Sequence, residues 1–142
     1  GHKDMSNYVV DADVMTDGDR RTKSNIGLIN QRYIFVLVGN GQKLEVVSNY
    51  DRFRHSVSFP IKTKAWYRLK TCVEIVDTGE GLIRAKAWMK DEPEPSEWTL
   101  EVSHENPHLN GAPGIYAMSP QSKRKVYIDN LSIYYNKFNL TN

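Results

Sequence analysis

Along most of the chain, apolar and polar side chains alternate with a period of two, in runs broken about every ten residues by Gly, Asn, Asp and Pro. This rhythm predicts strands. Between Tyr8 and Val14, the residues Tyr8, Val10, Ala12 and Val14 share one face while Asp11 and Asp13 share the other, as a half-solvated strand requires. Ser24–Ile29 and Tyr33–Val38 follow, and the second is almost continuously apolar, which predicts a central strand covered on both sides. Asn40-Gly41 then predicts a hairpin onto Leu44–Ser48, with positive φ at both turn positions. Ser56–Phe59 reads as a short strand that Pro60 places at an edge or an end. Trp66–Val76 and Leu82–Lys90 form a longer hairpin across Asp77–Gly81, and Pro93 and Pro95 open an exposed loop before Trp98–Val102. Gly114–Ser119 and Lys125–Tyr134 close the series, separated by a basic, Ser-containing loop at Pro120–Arg124. About nine or ten strands without a convincing helix predict an all-β, antiparallel two-sheet β-sandwich.

Composition narrows the class. A chain of 142 residues fits one domain, read here as residues 1–142, and 39% hydrophobic with 25% charged residues supplies a core. The 19 Lys and Arg against 17 Asp and Glu lack the concentrated basic charge of a nucleic-acid binder. Cys72 alone builds neither an intrachain disulfide nor a Cys-based zinc site. No apolar run approaches the roughly 20 residues of a membrane-crossing helix, so no membrane insertion is expected. No leader precedes Met5, and Gly1 has the look of a cleavage remnant, so the expectation is a domain cut at its N-terminus from a larger protein.

Candidate chemistry is sparse. Glu92, Glu94 and Glu97 have the close spacing of glycosidase acids, but the intervening prolines keep them off a ladder-bonded strand and predict a solvated acidic loop. His104 and His108 would share a face only on a helix that Asn106, Pro107 and Gly111 oppose, so both are expected to be exposed loop residues. Gly39-Asn40-Gly41 is a turn, not a phosphate cradle, and no serine-nucleophile motif is present. No catalytic residue is assigned. Alternation puts Trp66, Arg68 and Lys70 on one sheet face beside Arg84, Lys86 and Trp88. With Arg32 from the other hairpin, the residues Arg32, Arg68, Arg84, Lys86 and Trp88 make a candidate surface for an acidic or hydroxyl-rich glycan. The plainer alternative is that the tryptophans cap the core edge and the basic stems cover apolar surface. Trp98 reads as a loop anchor.

Several segments carry a resemblance: Trp66-Tyr67-Arg68-Leu69-Lys70, Ile83-Arg84-Ala85-Lys86-Ala87-Trp88, Gly114-Ile115-Tyr116-Ala117 and Val126-Tyr127-Ile128-Asp129-Asn130-Leu131-Ser132-Ile133. They resemble strands of the concanavalin A-like lectin/glucanase sandwich, the laminin-G-like jelly roll. With Ser6–Val14 added, the chain is similar to domains appended to bacterial quinoprotein-like propellers and polysaccharide-processing proteins. The resemblance implies a noncatalytic carbohydrate-binding module or, alternatively, a structural module that positions a neighbouring catalytic or propeller domain; glycoside hydrolysis ranks last. It implies a periplasmic or extracellular setting, and a further strand ahead of Ser6 that is either short or lies upstream. Asp129 and Asn130 stand where such jelly rolls place a structural calcium, the one cofactor considered. The alternative is that they satisfy backbone donors where the last strand bends.

Overall fold

Tyr8, Val10, Ala12 and Val14 are fully buried and face the core, but the first strand is not half-solvated as expected: on its outer face Asp11 and Asp13 are buried as well, because Arg68 and Lys90 pair with them. The structure is a computed structural model, and it describes residues 5–19, 21–48, 50–119 and 125–135. The loop expected at Pro120–Arg124 lies outside the described residues. Ten strands follow in order: β1 (Tyr8–Thr16), β2 (Asn25–Asn30), β3 (Tyr33–Val38), β4 (Lys43–Ser48), β5 (Arg54–Ser58), β6 (Trp66–Ile75), β7 (Gly81–Met89), β8 (Leu100–His104), β9 (Gly114–Met118) and β10 (Val126–Tyr135). They pair antiparallel in two five-stranded sheets, β10-β1-β6-β7-β8 and β5-β4-β3-β2-β9. The result is a β-sandwich, and among the described residues there is no helix, let alone one long and apolar enough to cross a membrane.

The sheets stack with β1 over β2 and β8 against β5. Phe35, Leu37, Leu44 and Val46 of one sheet and Leu69, Val73, Ile83 and Leu100 of the other fill the space between them. As expected, β3 is central and almost wholly buried, whereas β5 alternates along an outer edge. The two sides of the sandwich differ. On the β5/β8 side, Phe53, Val57 and Val102 pack onto the core. On the β9/β10 side, Ile115 lies opposite the core residue Leu28, and Ile133 opposite Val10, yet they are 50% and 43% exposed.

The β3–β4 hairpin forms as expected, with a different turn. Val38 pairs with Lys43, so the connection holds four residues, and the positive φ of 50° falls on Gln42 rather than on Asn40-Gly41. The Gln42 side chain compensates by donating to the Gly39 and Ile61 carbonyls at 2.8 and 2.9 Å and accepting from the Ile61 amide at 2.8 Å. The two-residue turn with positive φ at both positions sits elsewhere, between β2 and β3, on Gln31 (50°) and Arg32 (70°).

That turn is held from the first strand. The Tyr8 hydroxyl donates to the Gly111 carbonyl at 2.6 Å and accepts from the Gln31 amide at 2.8 Å. The fully buried Gln31 side chain accepts from the Asn7 amide at 3.0 Å and donates to the His108 carbonyl at 2.6 Å. A Cβ added at Gly111 would lie 2.7 Å from Arg32 Cγ and 2.9 Å from its backbone nitrogen, so only glycine lets the loop approach. Tyr8→Phe therefore leaves a buried donor and a buried acceptor without their partner, and we expect it to cost about 2–4 kcal/mol. Urea denaturation checks this; a loss below half a kcal/mol would show that the hydroxyl is not the tie.

Candidate functional site

Arg68, Arg84, Lys86 and Trp88 do meet on one surface. They point outward from β6 and β7, where Arg68 lies opposite Trp88, Lys70 opposite Lys86 and Cys72 opposite Arg84. The surface is not, however, a field of unbalanced positive charge. Arg68 pairs with Asp11 and, at 3.1 Å, with Asp13, while Lys90 reaches Asp13 at 2.8 Å. Arg84 contacts Glu74 at 3.1 Å and Glu101 at 3.9 Å. Lys70 and Lys86 share Glu94 at 3.1 and 2.7 Å, and Lys86 also donates to the Pro95 carbonyl at 2.8 Å. Trp98 lies beneath Arg84 and Lys86 at 5.0 and 4.9 Å, so it anchors the loop through its ring.

The acidic loop thus differs from the solvated segment expected of it. Glu94 folds back onto the sheet because Lys86, whose side chain is only 8% exposed, needs a counter-charge. Burial raises the Glu94 carboxyl, but hydrogen bonds from Lys86 and Lys70 outweigh it and hold the group below its ordinary range.

Asp129 and Asn130 build a β-bulge. Asp13 pairs with Asp129 and Asp11 with Ser132, so Ala12 faces two residues of β10, and Asn130 adopts a φ of 52°. Asp129 Oδ1 accepts from the Asn130 amide at 2.8 Å, the Asn130 carbonyl accepts from Arg68 at 2.9 Å, and the Asn130 side chain donates to Asp13 at 2.5 Å. These residues do not fit a calcium ion: Arg68 and Lys90 already sit on the neighbouring carboxylates, and Asn130 presents its NH₂ rather than its oxygen.

Trp88 borders a groove of about 420 Å³ that Phe59, Pro60, Tyr67, Met89, Pro93 and Pro95 also line. Its charged lining residues are Glu92, Glu97 and Lys62, and none of them makes an ion pair among the described residues. Trp66, under Lys90 at 5.8 Å, borders a neighbouring hollow that shares Met89.

Arg32 does not join this surface. It extends from the β2–β3 turn, with its guanidinium 5.2 Å from the centre of the Tyr50 ring. Beside it lies a cluster that sequence reasoning missed. His104 is not an exposed loop residue: it ends β8, is 8% exposed and stacks on Phe53 at 4.3 Å. Its Nε2–H donates to Asp51 at 2.9 Å, which leaves Nδ1 to accept from the Tyr33 hydroxyl at 2.7 Å. The His108 amide donates to the same hydroxyl at 3.1 Å, and burial pushes the Tyr33 phenol up to about 12. His108 is half-buried and meets Ser48 Oγ through Nε2. Its imidazole titrates below the ordinary range because of burial and then the charges of His104 and Arg32. Ser48, a histidine and Asp51 do not line up as a hydrolytic relay, since Ser48 bonds His108 while the carboxylate bonds His104.

Neither a family model nor a curated protein matches the chain. The site must be read from its geometry.

A group titrating lower in the folded than in the unfolded chain stabilises above its unfolded pKa, and that stability is lost as pH falls through the folded value. Glu94 is such a group. We expect Glu94→Gln to cost about 1–2 kcal/mol near neutral pH. The variant should also lose less stability than the parent between about pH 5 and 3. Urea titrations across that range decide it; parallel pH profiles for parent and variant would exclude this pairing as a source of acid sensitivity.

Proposed function

We propose that the chain is a noncatalytic carbohydrate-binding module that takes a neutral, hydroxyl-rich glycan in the groove beside Trp88. The groove carries this reading: aromatic and proline surfaces offer contact for the C–H face of a sugar ring, and the carboxylates of Glu92 and Glu97 accept from hydroxyls. Charge balance favours a neutral ligand over an acidic one: Arg68, Lys70, Arg84 and Lys86 already have counter-charges, and in the groove the cation Lys62 stands with the carboxylates of Glu92 and Glu97, so there is no excess of positive charge. In this reading Lys86 and Arg84 hold the loop that walls the groove, and Trp88 touches the sugar. The resemblance to concanavalin A-like jelly rolls and a periplasmic or extracellular setting agree with it.

Affinity electrophoresis through gels of neutral polysaccharides tests the proposal. Retention on at least one polymer is expected, and Trp88→Ala should weaken it roughly tenfold, the worth of one stacked ring. No retention on any polymer, or equal retention of the variant, would refute the assignment.

The exposed β9/β10 side supports a second reading, a module that docks an extended segment of a neighbouring domain. Leu131, Ile133 and Tyr135 of β10 are 43%, 43% and 57% exposed, and among the described residues β10 is the edge strand of its sheet. This reading expects the chain to enhance the fluorescence of a hydrophobic dye and the double variant Leu131→Ser/Ile133→Ser to reduce that signal while remaining folded. A parent that leaves the dye dark would count against it.

A further inference from the structure

We infer that the Arg32 end of the sandwich is a second binding site, which holds the carboxylate of an acidic sugar. It stands independently of the Trp88 groove. β7 starts at Gly81, opposite His104, and reaches Trp88 seven residues later, so the two places lie roughly 20 Å apart along the strands.

The first observation is conformational. Arg32 adopts a φ of 70° directly after Gln31 at 50°, and a two-residue turn of this kind favours Asn and Gly. Gln31 has a structural reason to be there, since its buried amide holds Asn7 and His108. The Arg32 stem packs beside Gly111, but its charge has no such reason: the residue is exposed, and among the described residues it forms no ion pair. A strained position that the fold holds rigidly, occupied by a cation the fold does not pair, points to use by a ligand.

The second observation is chemical. The guanidinium lies over the Tyr50 ring, 5.2 Å from its centre, and a guanidinium is the group that grips a carboxylate with two parallel hydrogen bonds. Tyr50 is 73% exposed and offers further ring surface to a sugar. It is set in place by its amide donating to Ser48 Oγ at 3.2 Å and by its ring meeting that of His108 at 5.6 Å. His108 faces Arg32, His104, Tyr33, Ser48 and Asp51. Asp51, the carboxylate among these, accepts from His104 and from the Arg52 amide at 2.7 Å, and it forms no ion pair with Arg32. An incoming carboxylate therefore meets the Arg32 guanidinium, without an ion-pair partner among the described residues, over an aromatic ring.

Side-chain NMR titration tests the inference, with glucuronate, glucose, acetate and sulfate as separate probes. Glucuronate should shift the Arg32, Tyr50 and His108 signals saturably and raise the pH at which His108 takes up its proton; glucose should not. Arg32→Gly should bind glucuronate at least tenfold more weakly while its melting temperature stays equal or rises, because glycine adopts the turn without strain. Tyr50→Ala should weaken glucuronate but leave acetate unchanged. Undiminished binding by Arg32→Gly would overturn the site. Acetate or sulfate binding as tightly as glucuronate would overturn the sugar assignment. Loss of glucuronate binding in Trp88→Ala would move the ligand to the groove and overturn the inference, whereas Trp88→Ala that affects only neutral polymers supports it.

Discussion

One phenol oxygen joins three parts of the chain, and the Gln31 side chain reinforces the junction. The Tyr8 hydroxyl bonds the β2–β3 turn and the loop before β9, while its ring sits in the core between the sheets. A buried hydroxyl must find partners, and here the partners are backbone groups that strand pairing leaves unused. The consequence is a turn without glycine, fixed in a left-handed conformation that costs about 1–2 kcal/mol per residue. Everything beyond that turn depends on it: Arg32 projects from it, Gln31 carries His108, and His108 in turn meets Ser48. The packed core stabilises the strain, so a hydrophobic interior sets the direction of a surface cation.

The opposite end is governed by charge balance. Strand alternation brings Arg68, Lys70, Arg84 and Lys86 onto adjacent rows, where like charges facing one another destabilise. The fold answers with carboxylates from four separate places: Asp11 and Asp13 on β1, Glu74 on β6, Glu101 on β8 and Glu94 on the proline-rich loop. Because the loop is drawn down by Lys86 and Lys70, its prolines become the wall of a groove. The groove follows from the ion pairs, not from strand geometry.

The strands were legible because their signal is local. A period of two in Tyr8–Val14 or Trp66–Val76 needs only neighbouring residues to interpret; burial follows it over the first half of β6, whereas β1 is buried on both faces because ion pairs cover Asp11 and Asp13. Even the bend at Asp129-Asn130 was within reach as a place where polar side chains serve the backbone, and the bulge there is built that way. What escaped depends on partners distant in sequence. Asn40-Gly41 has the right composition for a two-residue turn, but the pairing of Val38 with Lys43 leaves four residues to connect, and such a loop places its left-handed residue last. Gln31-Arg32 carries no turn signal, since its conformation is enforced by Tyr8 and Gly111. His104 continues the strand at the spacing of Leu100 and Val102, a signal that competes with its four-residue spacing from His108.

Arg32 parts from Arg68 and Arg84 for a related reason. Sequence alternation gives residue type and face, whereas the end of the sheet that each turn occupies follows from how the two sheets stack, β1 over β2. Once it is decided, the basic residues separate into two kinds. Those on β6 and β7 are consumed by the fold, so their removal acts on stability before it acts on any ligand. Arg32, at the far end, forms no ion pair among the described residues and lies over the Tyr50 ring. The two ends of the same strands therefore differ in kind: at one the charges of β6 and β7 are balanced within the fold, at the other a cation is held in a strained turn without a counter-charge. The two proposed sites rest on that difference.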